Sequence, residues 1–217
     1  MIGGLRIARI VGIPIYLHPT WFIVFLLVTW ALAAQLAADF PAWSRTAHHV
    51  AAGITAALFF SSILLHELGH SVIARRHRVQ VRSITLFVFG GVALMERDPD
   101  DARAEFEIAI AGPIVSALLA VVFSLAERAV PEDSGPHFVA GWLVRINLAV
   151  ALFNLLPGFP LDGGRVLRAF LWARTGDAER ATRIAAGVGQ TFAYAFILGG
   201  GLQVLQPGLF GLGRADG

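Results

Sequence analysis

Within the apolar stretch SSILLHELGHSVIARRH, residues 61–77, two histidines and a glutamate fall inside five positions: His66, Glu67 and His70. Residues four apart share a face of an α-helix, so the imidazoles of His66 and His70 can serve one metal ion. Glu67 is displaced around the helix, yet its carboxylate still reaches a metal-bound water, where it can act as general base. The chain has no cysteine, which excludes thiolate ligands, disulfides and a cysteine nucleophile. Zinc suits what remains, because it accepts imidazole and carboxylate in tetrahedral geometry and leaves a position for water. The competing reading makes both histidines structural, bonded to carbonyls inside a helix bundle. That reading is costly here, since unpaired polar groups in an apolar surround are expensive.

A catalytic zinc takes three protein ligands. Glu96, Glu105 and Glu107 are acidic candidates for the third. His48 and His49 begin the HELGH helix and lie too far along it, at 1.5 Å per residue, to join His70. His18, His77 and His137 fall at expected interfaces, as solvated or capping residues. Asp162 is distinguished by its setting, FNLLPGFPLDGGRVLRA, where Pro157, Gly158, Pro160, Gly163 and Gly164 interrupt any helix. Irregular backbone at membrane depth is tolerated only where it is buried in protein or lines a wet cavity. An aspartate on such a break is a natural ligand; the alternative is that Asp162 caps a helix over 163–172.

The elements that must carry these groups are membrane elements. Of the 217 residues, 56% are hydrophobic and only 15% charged, against about half and a quarter in soluble domains, and the mean hydropathy is +0.68. Apolar runs long enough to cross a bilayer, roughly 20 residues each, cover 17–38, 47–74, 108–126, 138–156 and 182–205. The run holding HELGH is longer than a bilayer needs, so it tilts or projects. Between the second and third runs, VQVRSITLFVFGGVALM alternates Ile84, Leu86 and Val88, then turns at Gly90 and Gly91 toward Val92 and Leu94. That alternation predicts a β-hairpin. The expected fold is an all-α polytopic membrane protein of five to six transmembrane helices with a small membrane-associated hairpin.

The isoelectric point near 9.9 does not signal nucleic acid, since the net charge is only +2 and the basic residues form no stripe interleaved with aromatics. All are arginine. If the five runs alternate, thirteen of them, including Arg75, Arg76, Arg165 and Arg168, fall on one side, against Arg45, Arg128 and Arg214 on the other. The positive-inside rule makes the first side cytoplasmic. The expectation is a multi-pass protein of the cell (inner) membrane, with its N-terminus and the opening of its site toward the cytoplasm. No cleavable signal peptide is read at the N-terminus. The tail PGLFGLGRADG reads as the opening of a sixth span, so a single domain over 1–217 is expected, with a sixth helix and a regulatory domain as possible losses.

HELGH in a membrane helix, the GGVA hairpin, Ala111-Gly112-Pro113 and NLLPGFPLDGG together resemble the site-2 protease family of intramembrane zinc metalloproteases (peptidase family M50). The resemblance runs from His18 to about Gly201. It implies one zinc per chain on His66, His70 and Asp162, with Glu67 as catalytic acid/base. It also implies that Asn154 holds substrate or the oxyanion. The family often follows the GP of its third helix with an asparagine; this chain has Ser116.

Asn147, seven residues before Asn154 on the same helix face, extends that polar lining or else packs helices together. Gly90 and Gly91 are expected at the substrate. An unwound substrate could add as a strand to the hairpin edge, or the hairpin could be a re-entrant loop under the bundle. The resemblance implies proteolysis of a transmembrane protein substrate, such as an anti-sigma or pro-sigma factor, within the lipid bilayer. The rival function is a transporter-like or inactive membrane protein with a structural metal site; a transporter would leave Glu67, between two metal-spaced histidines, without a purpose.

Overall fold

The computed structural model describes residues 4–205. Its elements run β1 (Leu5–Ile10), β2 (Ile13–Leu17), α1 (Pro19–Asp39), α2 (Arg45–Arg76), β3 (Val81–Phe87), β4 (Gly90–Met95), α3 (Ala102–Arg128), α4 (Gly135–Asn154), α5 (Asp162–Thr175) and α6 (Ala178–Leu205). Five of the helices, α1 to α4 and α6, are long and apolar enough to cross a membrane, one for each run read from the sequence. The protein is therefore an all-α polytopic membrane protein with a small sheet. At 14 residues, α5 is too short to span. The tail read as a sixth span lies outside the described residues.

α2, α3 and α4 start where a side chain satisfies a free N–H group of the first turn. Ser44 accepts from the Ala47 N–H, Asp101 from that of Ala104, and Ser134 from that of His137. α4 stops at Asn154, ahead of Pro157, and α5 ends on Gly176 in the left-handed conformation, φ 70°. α2 has 32 residues, about 48 Å at 1.5 Å per residue, so it outruns the hydrocarbon layer as its sequence implied.

The sheet is larger than the expected hairpin. Its order is β1-β2-β3-β4; the outer pairs are antiparallel and β2 runs parallel to β3, with Ile15 opposite Ile84 and Leu17 opposite Leu86. The N-terminal strands lacked a local signal because what orders them is burial against distant residues. Ile13, Ile15 and Ile84 pack on Leu68 of α2 in one cluster, and the turn between β1 and β2 is tied to α2 by the Arg75 guanidinium donating to the Val11 carbonyl. β4 remains an edge.

Helices in lipid gain little from hydrophobic contact with one another, so they approach where side chains are small. Gly69 does this for α2 and α3: a Cβ there would press on Val115 and on the Ala111 carbonyl. This crossing brings the middle of α3 onto the HELGH face.

Candidate metal centre

His66 and His70 lie one turn apart on α2, both buried. The imidazole of His70 is fixed by its Nδ1–H, which donates to the Ile108 carbonyl at 2.7 Å. A carbonyl only accepts, so Nδ1 is the protonated nitrogen, and in the neutral ring Nε2 keeps its lone pair for a metal. Across α3, Ser116 Oγ meets His66 Nδ1 at 2.9 Å, and Ser116 is itself buried. Pro113 sits inside α3 and withholds the N–H that would have served a carbonyl in the turn before it.

Asp162 comes from a distant part of the chain, 96 positions from His66. It is the first residue of α5, while the cap position belongs to Leu161, which offers no side-chain bond. Asp162 is therefore not the cap. Its Oδ2 lies 3.1 Å from His66 Nε2 and 3.2 Å from His70 Nε2, and the two Nε2 atoms are 3.2 Å apart. Bonds of about 2.0–2.1 Å in a tetrahedron separate neighbouring ligand atoms by about 3.3 Å. The three donors thus stand at the spacing of three corners around a shared cation. With the imidazoles neutral, a carboxylate oxygen and two nitrogen lone pairs this close together are accommodated by a cation between them. These are the residues that could hold a metal among those described.

Gly112 is what makes the arrangement possible. A Cβ at this position would collide with both Nε2 atoms. The glycine of the Ala-Gly-Pro motif thus leaves α3 without a side chain at the point where the donors converge.

A cavity of about 690 Å³ opens on the cluster. His66, Glu67, His70, Asp162, Asn154 and Arg165 line it, together with Gly90 and Gly91 of the sheet. Gly91 packs against the Glu67 side chain, where a Cβ would clash with its Cγ, and Gly90 has φ 123°, which only glycine adopts with ease. Asn154 faces the cavity with its Nδ2 donating to the Val150 carbonyl at 3.0 Å. Asn147 is not brought there: buried, it donates to the Leu143 carbonyl and to Ser62 Oγ, joining α4 to α2. Its seven-residue spacing from Asn154 kept the helix face, but α2 covers that face at Asn147, two residues before the cavity lining begins at Ala149.

The other acidic candidates are engaged elsewhere. Glu96 pairs with Arg82, Glu107 with His77 and Arg103, and Glu105 with Arg165 and Arg168. His48 Nε2–H donates to the Phe40 carbonyl, and His18 caps α1 by accepting from the Thr20 N–H.

The profile of peptidase family M50 matches residues 54–130 and 129–198. The chain belongs to this family. A provisionally named zinc metalloprotease of Synechocystis sp. is 41% identical over 206 residues, 95% of this chain and 54% of that protein. A zinc metalloprotease of Methanocaldococcus jannaschii is 36% identical, over 93% of this chain and 55% of its own length. The solved site-2 protease from Methanocaldococcus jannaschii superimposes with a TM-score of 0.66 at 35% identity, covering 93% of this chain and 87% of that one. The chain spans about half the length of the curated relatives it matches.

Two residues of this M50 chain that bear on the centre were not legible as such. Ser116 could not be assigned a partner from sequence, because His66 is 50 positions away. Gly112 belonged to a quoted motif, but only the crossing of α2 and α3 explains it.

Proposed function

We propose that this chain is the membrane-embedded domain of a zinc metalloprotease that cleaves peptide bonds in or near transmembrane segments of membrane proteins. The observation that carries this reading is the triangle of His66, His70 and Asp162 donors, 3.1–3.2 Å on a side, with Glu67 on the same cavity and all of it set among apolar spanning helices.

His66 Nε2, His70 Nε2 and one Asp162 oxygen are the ligands, and the bonds to Ser116 and Ile108 aim the rings. When bound, zinc supplies a Lewis acid and brings the pKa of a coordinated water toward neutrality. The Glu67 carboxylate takes a proton from the attacking water and returns it to the leaving nitrogen. Asn154 turns its amide from the Val150 carbonyl toward the substrate carbonyl oxygen and shares the charge that develops there.

A transmembrane helix hides its peptide bonds, so the substrate must unwind. β4 supports a means: an edge strand whose residues 90–93 line the cavity can pair with an extended segment and hold it beside Glu67. Regulated proteolysis of a single-span regulator, such as an anti-sigma or pro-sigma factor, fits such a site. The arginines at the ends of α2 and α5, with Arg75 and Arg174 in their last turns, support a cytoplasmic opening in the cell membrane. A cysteine placed at Gln80 and labelled from each face tests that orientation.

The deciding experiment compares two variants for zinc content and for cleavage of a single-span reporter. Glu67→Gln is expected to retain stoichiometric zinc and lose turnover. Asp162→Ala is expected to lose both. Cleavage by Glu67→Gln, or normal zinc affinity in Asp162→Ala, would overturn the assignment.

A further inference from the structure

Arg165 is the charged side chain of the cavity to which the reading above gives no task. It follows Asp162 by three residues on α5, so the two share a helix face, and it lines the cavity with His66, Glu67 and Asp162. Its Nε and one terminal nitrogen donate to the two carboxylate oxygens of Glu105 at 3.1 and 3.3 Å. This is the side-on, two-bond form that only arginine makes.

Glu105 is 0% exposed, so the guanidinium is held against a carboxylate that has no water to turn to. Arg168, one turn portion on, closes to 3.6 Å of the same carboxylate. Two cations therefore share one buried anion. The acid remaining to Arg168, Asp98, is 84% exposed and 3.7 Å away, a separation and setting in which pairing counts for little. Glu105 is thus shared, and of the two arginines it is Arg165 that lines the cavity. The second terminal nitrogen of Arg165 has no hydrogen-bond partner among the described residues.

Peptide hydrolysis creates negative charge in this place. Water adds to the carbonyl carbon, the C–N bond breaks, and the protons of water pass to the amine. A neutral amide becomes a carboxylate and an ammonium. We propose that Arg165 is an anion-binding residue of this site, its free edge holding the carbonyl oxygen as charge develops and then the new chain-end carboxylate, with Glu105 as the positioning residue that orients it. The proposal rests on the proteolytic reading for the reaction, but not for anion binding as such.

The test uses the full chain in detergent, loaded with zinc. In the Glu67→Gln background, which does not turn over, binding of an N-acetylated apolar hexapeptide acid is compared with that of its C-terminal amide. Adding Arg165→Gln is expected to cut the preference for the acid at least tenfold, with zinc content unchanged; an unchanged preference overturns the proposal. In the otherwise native chain, Arg165→Gln is expected to lower kcat about 10²-fold, as for loss of one oxyanion donor. Glu105→Gln/Arg165→Gln removes the stranded buried carboxylate along with the cation. Were Arg165 merely a structural tie, this double variant would regain native kcat, and that outcome also overturns the proposal; a kcat that stays low supports it. Arg165→Lys keeps a charge opposite Glu105 and guards against loss of fold. One ammonium cannot serve both anions in the arginine geometry, so acid preference and kcat should both fall several-fold, and native values for both would count against the role. If the native chain cleaves no reporter, proteolysis fails as a reading, while the acid–amide comparison still decides Arg165.

Discussion

Glycine meets a ring at two places in the bundle, with different consequences. Within α3, Gly112 lies under the imidazoles of His66 and His70; at the start of α4, Gly135 lies under the indole of Trp43. The imidazoles are held by directional bonds to Ser116 and Ile108 and by the convergence of their Nε2 atoms with Asp162. Among the described residues the Trp43 indole makes no side-chain hydrogen bond; it stacks on Phe40 at 4.7 Å and His48 at 6.2 Å. A ring packed by dispersion can slide and keep most of its contacts. A ring that must aim one nitrogen at a ligand position cannot. The same missing methyl therefore leaves room for converging donors at Gly112 and is a packing detail at Gly135.

Gly112→Ala should give the largest effect. The added methyl occupies the space between the donors, so zinc measured by elemental analysis should fall to background while far-UV circular dichroism stays helical. Retained zinc would break the comparison, because it would mean that the imidazoles can move aside as Trp43 can. Ser116→Ala comes next. It leaves the ligand set complete but removes the partner of His66 Nδ1, and loss of such a partner weakens metal affinity roughly 10–100-fold. Competition with a chelator of known affinity measures it. Gly135→Ala should be smallest: a shift of Trp43 costs about 1 kcal/mol, or roughly 2–4 °C in thermal midpoint for a chain of this size, with zinc content and cleavage unchanged.

Much of the centre was legible because helix geometry is local. His66 and His70 needed only the four-residue spacing of HELGH, and the five spans needed only runs of apolar residues. Asp162 was legible in a different way, since its prolines and glycines marked a broken backbone at a depth where such breaks require a purpose. Glu105 shows the limit of the same approach. As a carboxylate near the start of a spanning helix it qualified as a ligand, and nothing nearby in sequence announced that Arg165, 60 positions later, would claim it. Asn147, read as polar lining or as helix packing, shows the same limit: helix phase fixes a face, but not what covers that face.

The sequence by itself determined which segments enter the membrane, which side the arginines favour, and which residue types could bind zinc. These depend on transfer free energies and on the 3.6-residue period, and both are properties of a short window. Only the tertiary structure decided that β2 lies parallel to β3, that α3 crosses α2 at Gly69 and Gly112, and that α5 delivers Asp162 to the histidines while its arginines close on Glu105. Those outcomes turn on pairing between distant parts of the chain, through close backbone approach and partnered buried charge. Neither leaves a periodic mark in the residues that make it.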